Sequence, residues 1–171
     1  NDTYALDVIN DLGIPEYSLS QQYQYTKDIV TDDDGVLRAV SWQATPGLFA
    51  YRADIAEDVL GTSDPEQVQN LLDSWAKFDG VAEDMADEGY VMISGFDDAY
   101  RAYSNNTSAP WVNDDGKIIV DDQIINWIKQ TKIYTDNGYN NETNLWSDGW
   151  FKDMGPEGNA FGYFFSTWGI N

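Results

Sequence analysis

The chain has 171 residues, enough for one ordinary domain with a buried core. Nine Lys and Arg against 30 Asp and Glu give a net charge of −21. This charge excludes a nucleic-acid-binding domain, which needs clustered basic residues, and disfavours anionic membrane surfaces. The sequence contains no Cys and no His, which excludes disulfides, thiolate or His-ligated metal sites, and Ser-His-Asp or Cys-His catalysis.

Aromatic residues are unusually frequent, at 15% of the chain, with 7 Trp, 11 Tyr and 7 Phe. This is more than a core of this size usually needs, so we expect some of these rings to face a ligand. The acidity is interpreted as a solubilising charge on an exported or salt-adapted surface. No run approaches 18 apolar residues, and the N-terminus lacks a signal-peptide pattern.

The first 60 residues begin with a polar stretch and continue with segments whose apolar residues recur as in strands and helices. Residues 1–35 are turn-rich and predict a connecting stretch with little regular structure. Two short strands are predicted, at 36–40 and 48–51. A helix over 52–60 follows, and Gly61 is its natural stop.

The middle of the chain carries clear helix signals. Ser63 to Glu66 combines a capping residue, a proline in the first turn and an early acid, which predicts a helix start. A further helix is predicted over 74–88, although Gly80 weakens it. Residues 90–93 predict a buried strand that closes at Gly95, and 97–104 a short helix.

The last third continues the alternation. An amphipathic helix is predicted over 122–137 and is stopped by Gly138. An aromatic loop at 145–154 and a strand at 160–165 follow. Because strands and helices alternate, the predicted class is α/β with a small mixed sheet flanked by helices.

Two adjacent carboxylates, Asp97 and Asp98, follow the predicted strand that ends at Gly95. Ligands of open α/β sheets gather at the carboxyl ends of strands, so we expect a ligand contact here. Asp97 could also cap the following helix, and the two roles are compatible. A glycosidase would need a pair of carboxyls about 5–9 Å apart, which a sequence alone does not reveal.

Acidic turns at 32–35 and 113–116 resemble pieces of a calcium loop. The glycine register of an EF-hand would place Val30 and Trp111 at the first ligand position, so both segments are interpreted as turns. We therefore predict no metal and no cofactor.

Tryptophans at strand ends and in loops are the most informative feature. A pyranose has apolar C–H faces that suit a flat indole ring, and a hydroxyl rim that suits polar side chains. Trp at a loop edge can instead cover a core. Burial of all three of Trp42, Trp146 and Trp168 would favour a purely structural domain.

Three segments, in this order, resemble the family 1 extracellular solute-binding proteins of carbohydrate ABC importers. They are Ser41–Asp54, Trp146–Phe151 and Phe161–Gly169, and with the helices between them the similarity covers about 36–171. The resemblance implies one lobe of a two-lobed, periplasmic-binding-protein-like (type II) fold that closes on a sugar. Residues 1–40 would be a connecting segment and incoming strand from a first lobe outside this sequence, and 41–171 most of the second lobe.

The resemblance also suggests ligand-binding positions. Trp168 matches an aromatic residue that often stacks on the sugar in this family. The turn after Gly95 commonly contributes contacts in the cleft. Trp42 and Gln43 border the segment that crosses the hinge. The expected ligand-binding residues are Trp42, Gln43, Phe96, Asp97, Asp98, Trp146, Trp150 and Trp168.

Family likeness implies capture without catalysis. The expected protein is an extracellular lipoprotein, monomeric when complete, that delivers a mono- or oligosaccharide to the permease subunits of an ABC transporter. Two alternatives remain from the residues alone. One is a carbohydrate-active hydrolase that uses Asp97 or Asp98, and the other is a structural surface domain.

Overall fold

The computed structural model describes residues 4–170. Residues 1–3, at the start of the predicted connecting segment 1–40, and residue 171, at the end of the predicted lobe 41–171, lie outside the described residues. The chain forms two compact units. One consists of Asn1–Pro46 with Thr167–Asn171, and the other of Gly47–Ser166.

The larger unit is built on a four-stranded mixed sheet. Its strands are β1 (Leu48–Tyr51), β2 (Val91–Gly95), β3 (Asn140–Thr143) and β4 (Ala160–Phe165). They lie in the order β1-β4-β2-β3. β2 runs parallel to both β3 and β4, whereas β1 is antiparallel to β4. The predicted α/β class with a small mixed sheet is confirmed.

Helices occupy much of the rest of the chain. In chain order they are α1 (Gln24–Asp28), α2 (Ala53–Leu60), α3 (Pro65–Leu72), α4 (Trp75–Asp87), α5 (Tyr100–Ser104), α6 (Asp122–Asn137) and α7 (Asp148–Asp153).

Local capping chemistry sets several of these boundaries. The Asp64 side chain accepts hydrogen bonds from the backbone N–H groups of Glu66 and Gln67, and so satisfies two free donors at the start of α3. Gly61 and Gly138 end α2 and α6 in the left-handed conformation, which costs glycine little. The predicted helices and stops here are confirmed.

Two hydrophobic clusters form the core of the larger unit. The first joins residues of α2, α3, α4 and α6 to Met92 and Phe161 of the sheet. The second joins Val91 and Ala160 to Trp150 of α7 and Tyr163 of β4. The neighbours Val91 and Met92, and likewise Ala160 and Phe161, belong to different clusters because successive side chains point to opposite faces of a sheet. The sheet is therefore covered on both faces.

The smaller unit contains α1 and two 3-10 helices, Glu16–Leu19 and Thr167–Ile170. The predicted strand at 36–40 is wrong, because the only ladder contact there is an isolated bridge between Thr31 and Leu37. The Asp32 carboxylate accepts the backbone N–H groups of Asp34 and Val36 and pairs with Arg38 at 2.7 Å. These local bonds hold a tight turn in place of an extended strand.

Two further predictions are corrected by the structure, and one strand was not predicted. The aromatic loop at 145–154 contains α7, whose first turn is capped by Ser147 Oγ accepting from Trp150 N–H at 3.2 Å. β3 was not predicted, because its Asn-Asn-Glu-Thr sequence lacks the apolar alternation of a strand. The predicted helix at 97–104 begins only at Tyr100, since the chain turns tightly after Gly95.

We expect Gly162→Ala to destabilise the larger unit by about 1–3 kcal/mol or more, through overpacking. A Cβ at Gly162 would lie 2.1 Å from the Phe49 ring and 2.8 Å from the Ala50 carbonyl oxygen. The control is Gly80→Ala inside α4, where a Cβ has nothing within 4 Å. It should stabilise by about 0.5–1 kcal/mol, because alanine loses less backbone entropy in a helix. Urea unfolding of both variants measures this, and equal effects would contradict the packing described.

Candidate functional site

The parallel strands β2, β3 and β4 end at the same edge of the sheet. The chain that follows β2 contains Phe96, Asp97 and Asp98, and the chain that follows β3 contains Trp146. Ser166 comes directly after β4. The structure therefore brings four of the predicted ligand-binding positions to one edge. We call this edge the carboxyl edge.

Asp98 is buried, with both carboxylate oxygens in use. Its Oδ2 accepts the Gly95 backbone N–H at 2.8 Å, and its Oδ1 accepts the Trp150 indole N–H at 2.8 Å. Its side chain is only 5% exposed. Asp98 therefore joins the turn after β2 to α7, and its predicted role as a direct ligand contact does not fit this geometry.

Burial also changes the acidity of this residue. Burial, which disfavours the charged form, and to a smaller extent the neighbouring charge of Asp97 together raise the pKa of Asp98 from 3.8 to about 6. The hydrogen bonds from Gly95 and Trp150 favour the ionised form and offset only part of this increase. The carboxylate therefore changes its charge in a mildly acidic range.

Asp97 is half-buried in the same turn. Its Oδ1 accepts the backbone N–H of Leu145 at 3.3 Å, which links the chain after β2 to the chain after β3. The alternative that Asp97 caps the following helix is wrong, because α5 has no side-chain cap and its N-cap residue is Ala99. Phe96 is also half-buried, and its carbonyl accepts the Thr131 hydroxyl of α6 at 3.1 Å.

The aromatic residues after β3 divide into buried and exposed rings. Trp150 is 1% exposed and packs edge-on against Tyr163 at 5.3 Å. Such a ring has no free face for a sugar, so the predicted stacking role of Trp150 is corrected to a role in the core. Trp146 is 54% exposed and Phe151 is 51% exposed. Phe151 was not among the predicted positions, because a single Phe in a presumed loop gave no distinguishing signal.

A polar network lies beneath this edge. Ser94 Oγ donates to Asp153 Oδ2 at 2.7 Å and lies 2.7 Å from Thr143 Oγ1. Asn141 Nδ2 donates to the same Asp153 oxygen at 2.8 Å. These bonds tie β2 and β3 to the last residue of α7. A buried network with its partners in place holds its elements in fixed positions.

Ser166 is a candidate that the sequence reasoning missed. It is 7% exposed, and its hydroxyl has no hydrogen-bond partner among the described residues. An unpaired buried hydroxyl is uncommon, so Ser166 Oγ is a candidate polar contact. Ser166 follows β4 directly, and β4 lies beside β2 in the sheet. A prediction of this strand order would have placed Ser166 near Asp97 and Asp98.

The other predicted positions lie in the smaller unit. Trp42 is 88% exposed, Gln43 is exposed, and Trp168 is 40% exposed. The Thr167 hydroxyl donates to the Ala44 carbonyl at 3.3 Å, so the segments that carry Gln43 and Trp168 meet. Within this unit the structure thus joins two of the segments that the resemblance selected.

Across residues 4–170, no group of three or more acidic residues is placed to hold a metal ion. Nor does any helix in this range have the length and apolar character needed to cross a membrane.

The pH dependence of stability tests the ionisation of Asp98. Because the folded-state pKa is raised, protonation stabilises the fold fully below about pH 4, and this contribution is lost as pH rises through about 6. Relative to Asp98→Asn, which cannot titrate, the wild type should lose up to about 3 kcal/mol of unfolding free energy between pH 4 and 7. Asp97 and Tyr163 face the same region but are present in both proteins. Urea unfolding across this range measures the difference, and parallel pH curves would contradict it.

No protein-family model matches the chain, and no curated protein matches it. Its fold is similar to a crystal structure of an extracellular solute-binding protein family 1, with a TM-score of 0.78 and 16% sequence identity. The match covers 96% of this chain and 42% of that chain, so the sequence spans less than half the length of the solved protein. At this identity the likeness establishes the fold alone: the chain has the same fold as the matched part of that structure.

Proposed function

We propose that the chain is one lobe of the substrate-binding subunit of an ABC importer, and that it captures a mono- or oligosaccharide for a membrane permease. The observation that carries this proposal is the pair of half-exposed aromatic rings, Trp146 and Phe151, beside Asp97 at the carboxyl edge. The fold supports it, because the similar solved structure is a solute-binding protein and is more than twice as long as the matched part.

Carbohydrate is the ligand class that these side chains suit best. Flat electron-rich rings pack against the C–H faces of a pyranose, and carboxylate, amide and hydroxyl groups bond its rim. Asp97 and Ser166 supply such polar groups at the carboxyl edge. Trp42, Gln43 and Trp168 offer the same combination in the smaller unit, and we retain them as proposed ligand contacts.

A purely structural role is less well supported. Burial of Trp42, Trp146 and Trp168 would have favoured it, whereas these rings are 88%, 54% and 40% exposed. A large exposed ring contributes little to a core, so its presence at three such positions favours binding.

We infer no catalytic step for this lobe. A hydrolase would need a carboxyl that reaches the glycosidic oxygen, but both oxygens of Asp98 accept protein N–H donors inside the fold. Affinity alone suffices for capture, in which a ligand shifts the protein toward the closed state that it prefers.

The proposed location is outside the cell, where the protein would be attached as a lipoprotein and act as a monomer. The family named by the similar structure and the charge of −21 support an exported, soluble surface. The proposed partners are the sugar and the permease subunits, with no nucleic acid.

Calorimetry with a panel of mono-, di- and trisaccharides tests the proposal, on this chain and on the whole gene product. At least one sugar should bind the whole product, and Trp146→Ala should weaken that binding about tenfold, which corresponds to about 1.4 kcal/mol. The control is Ile133→Ala, because Ile133 is 52% exposed and lies near the end of α6, which leads to the start of β3 at the opposite edge of the sheet. It should leave the affinity unchanged. No heat with any sugar, or equal losses in both variants, would overturn the proposal.

A further inference from the structure

Trp146 adopts a backbone conformation that is unfavourable for its residue type. Its φ is +68°, in the left-handed region that glycine tolerates and a bulky side chain rarely adopts. Such a residue costs about 1–3 kcal/mol and persists only when its surroundings hold it there. The contacts around Trp146 must therefore offset this strain.

Contacts of the backbone and of the ring help to hold this segment. The backbone N–H of Leu145, one residue earlier, donates to Asp97. The indole of Trp146 packs against that of Trp150, with ring centroids 5.5 Å apart and planes inclined by 52°. Trp150 therefore supports Trp146 from below, because Trp150 itself is almost fully buried.

The same buried ring also supports Phe151. The centroids of Trp150 and Phe151 lie 5.3 Å apart in an edge-to-face arrangement, and those of Trp146 and Phe151 lie 6.1 Å apart. Two half-exposed rings thus sit side by side on one buried ring. We call Trp146, Trp150 and Phe151 the aromatic platform.

The orientation of the buried ring is fixed by a single polar contact. The indole N–H of Trp150 donates to Asp98 Oδ1 at 2.8 Å, and Asp98 Oδ2 is held by the Gly95 N–H. A hydrogen bond to a buried carboxylate is directional and strong, so it selects one rotation of the indole. A hydrophobic pocket alone would accept several aromatic orientations.

We propose that Asp98 and Trp150 are a positioning pair, which fixes Trp146 and Phe151 as a preformed two-ring surface for the apolar face of a sugar. The inference rests on the proposed carbohydrate function. It assigns Asp98 and Trp150 to indirect roles and adds Phe151 to the contact surface. A preformed surface binds more tightly because few side chains lose freedom on binding.

The alternative is that the Asp98–Trp150 bond serves the fold alone. In that case, breaking the bond would lower stability but leave the exposed rings and sugar affinity as they are. The two exposed rings argue against it, because side chains that served only the core would be covered.

The test compares Asp98→Asn with wild type in the whole gene product, well below the melting temperature of each. Asn presents one acceptor oxygen and an N–H₂ group to two N–H donors, so one of the two bonds must break. The readouts are the affinity for the tightest sugar of the panel and the circular-dichroism couplet of the Trp146–Trp150 pair. That couplet is isolated by subtracting the spectrum of the same protein carrying Trp146→Phe.

We expect a smaller or altered couplet and a five- to twentyfold loss of affinity in Asp98→Asn. Trp150→Phe, which keeps a ring and removes the indole N–H, should lose affinity to a similar extent. Asp79→Ala is the control, since Asp79 Oδ1 accepts two side-chain hydrogen bonds, from Tyr134 and Gln130, away from the platform and the substitution removes both. It should lower stability and leave both readouts unchanged.

The outcomes separate the two proposals. If a sugar binds, and Asp98→Asn keeps the wild-type couplet and affinity, the positioning role is wrong while the proposed function stands. If no sugar binds the wild type, the proposed function fails and the sugar contact fails with it. The couplet then still decides whether Asp98 orients the indole pair.

Discussion

The carboxylate of Asp98 constrains the larger unit more than any other polar group described above. A buried carboxylate is costly unless donors surround it, and the Gly95 backbone N–H and the Trp150 indole N–H both donate to this one. The turn after β2 and the start of α7 must therefore keep their relative position. Asp97 lies in that turn, and Trp146 packs on Trp150. The positions of both residues at the carboxyl edge therefore depend on the Asp98 carboxylate.

Elements with local signals could be predicted from the sequence. The start of α3 follows from Asp64 and Pro65, and the end of α6 follows from Gly138, because capping depends on neighbouring residues. β3 could not be predicted, because it is a polar edge strand defined by its pairing with β2. A pairing between residues almost fifty positions apart leaves no periodic trace in either segment.

The candidate site was likewise predictable from the sequence only in part. The position of Asp97 and Asp98 after a buried strand was enough to place them at the carboxyl edge. Their different roles were not predictable, since one side chain bonds Leu145 and the other Trp150, both from distant segments. Composition likewise indicated a surplus of aromatic rings without indicating which of them the core would take. Trp150 and Trp146 are four residues apart and have opposite environments, because the cap at Ser147 starts a helix between them.

The left-handed conformation of Trp146 has an evolutionary consequence. Glycine at this position would relax the backbone and recover part of the roughly 1–3 kcal/mol of strain, so selection for stability alone would replace the tryptophan. Natural proteins stay near a stability threshold and tolerate such losses where activity requires them. On the ligand contact proposed above for Trp146, homologues that have changed or lost their ligand are expected to carry Gly or Asn here, and the residue at this position would mark retained specificity.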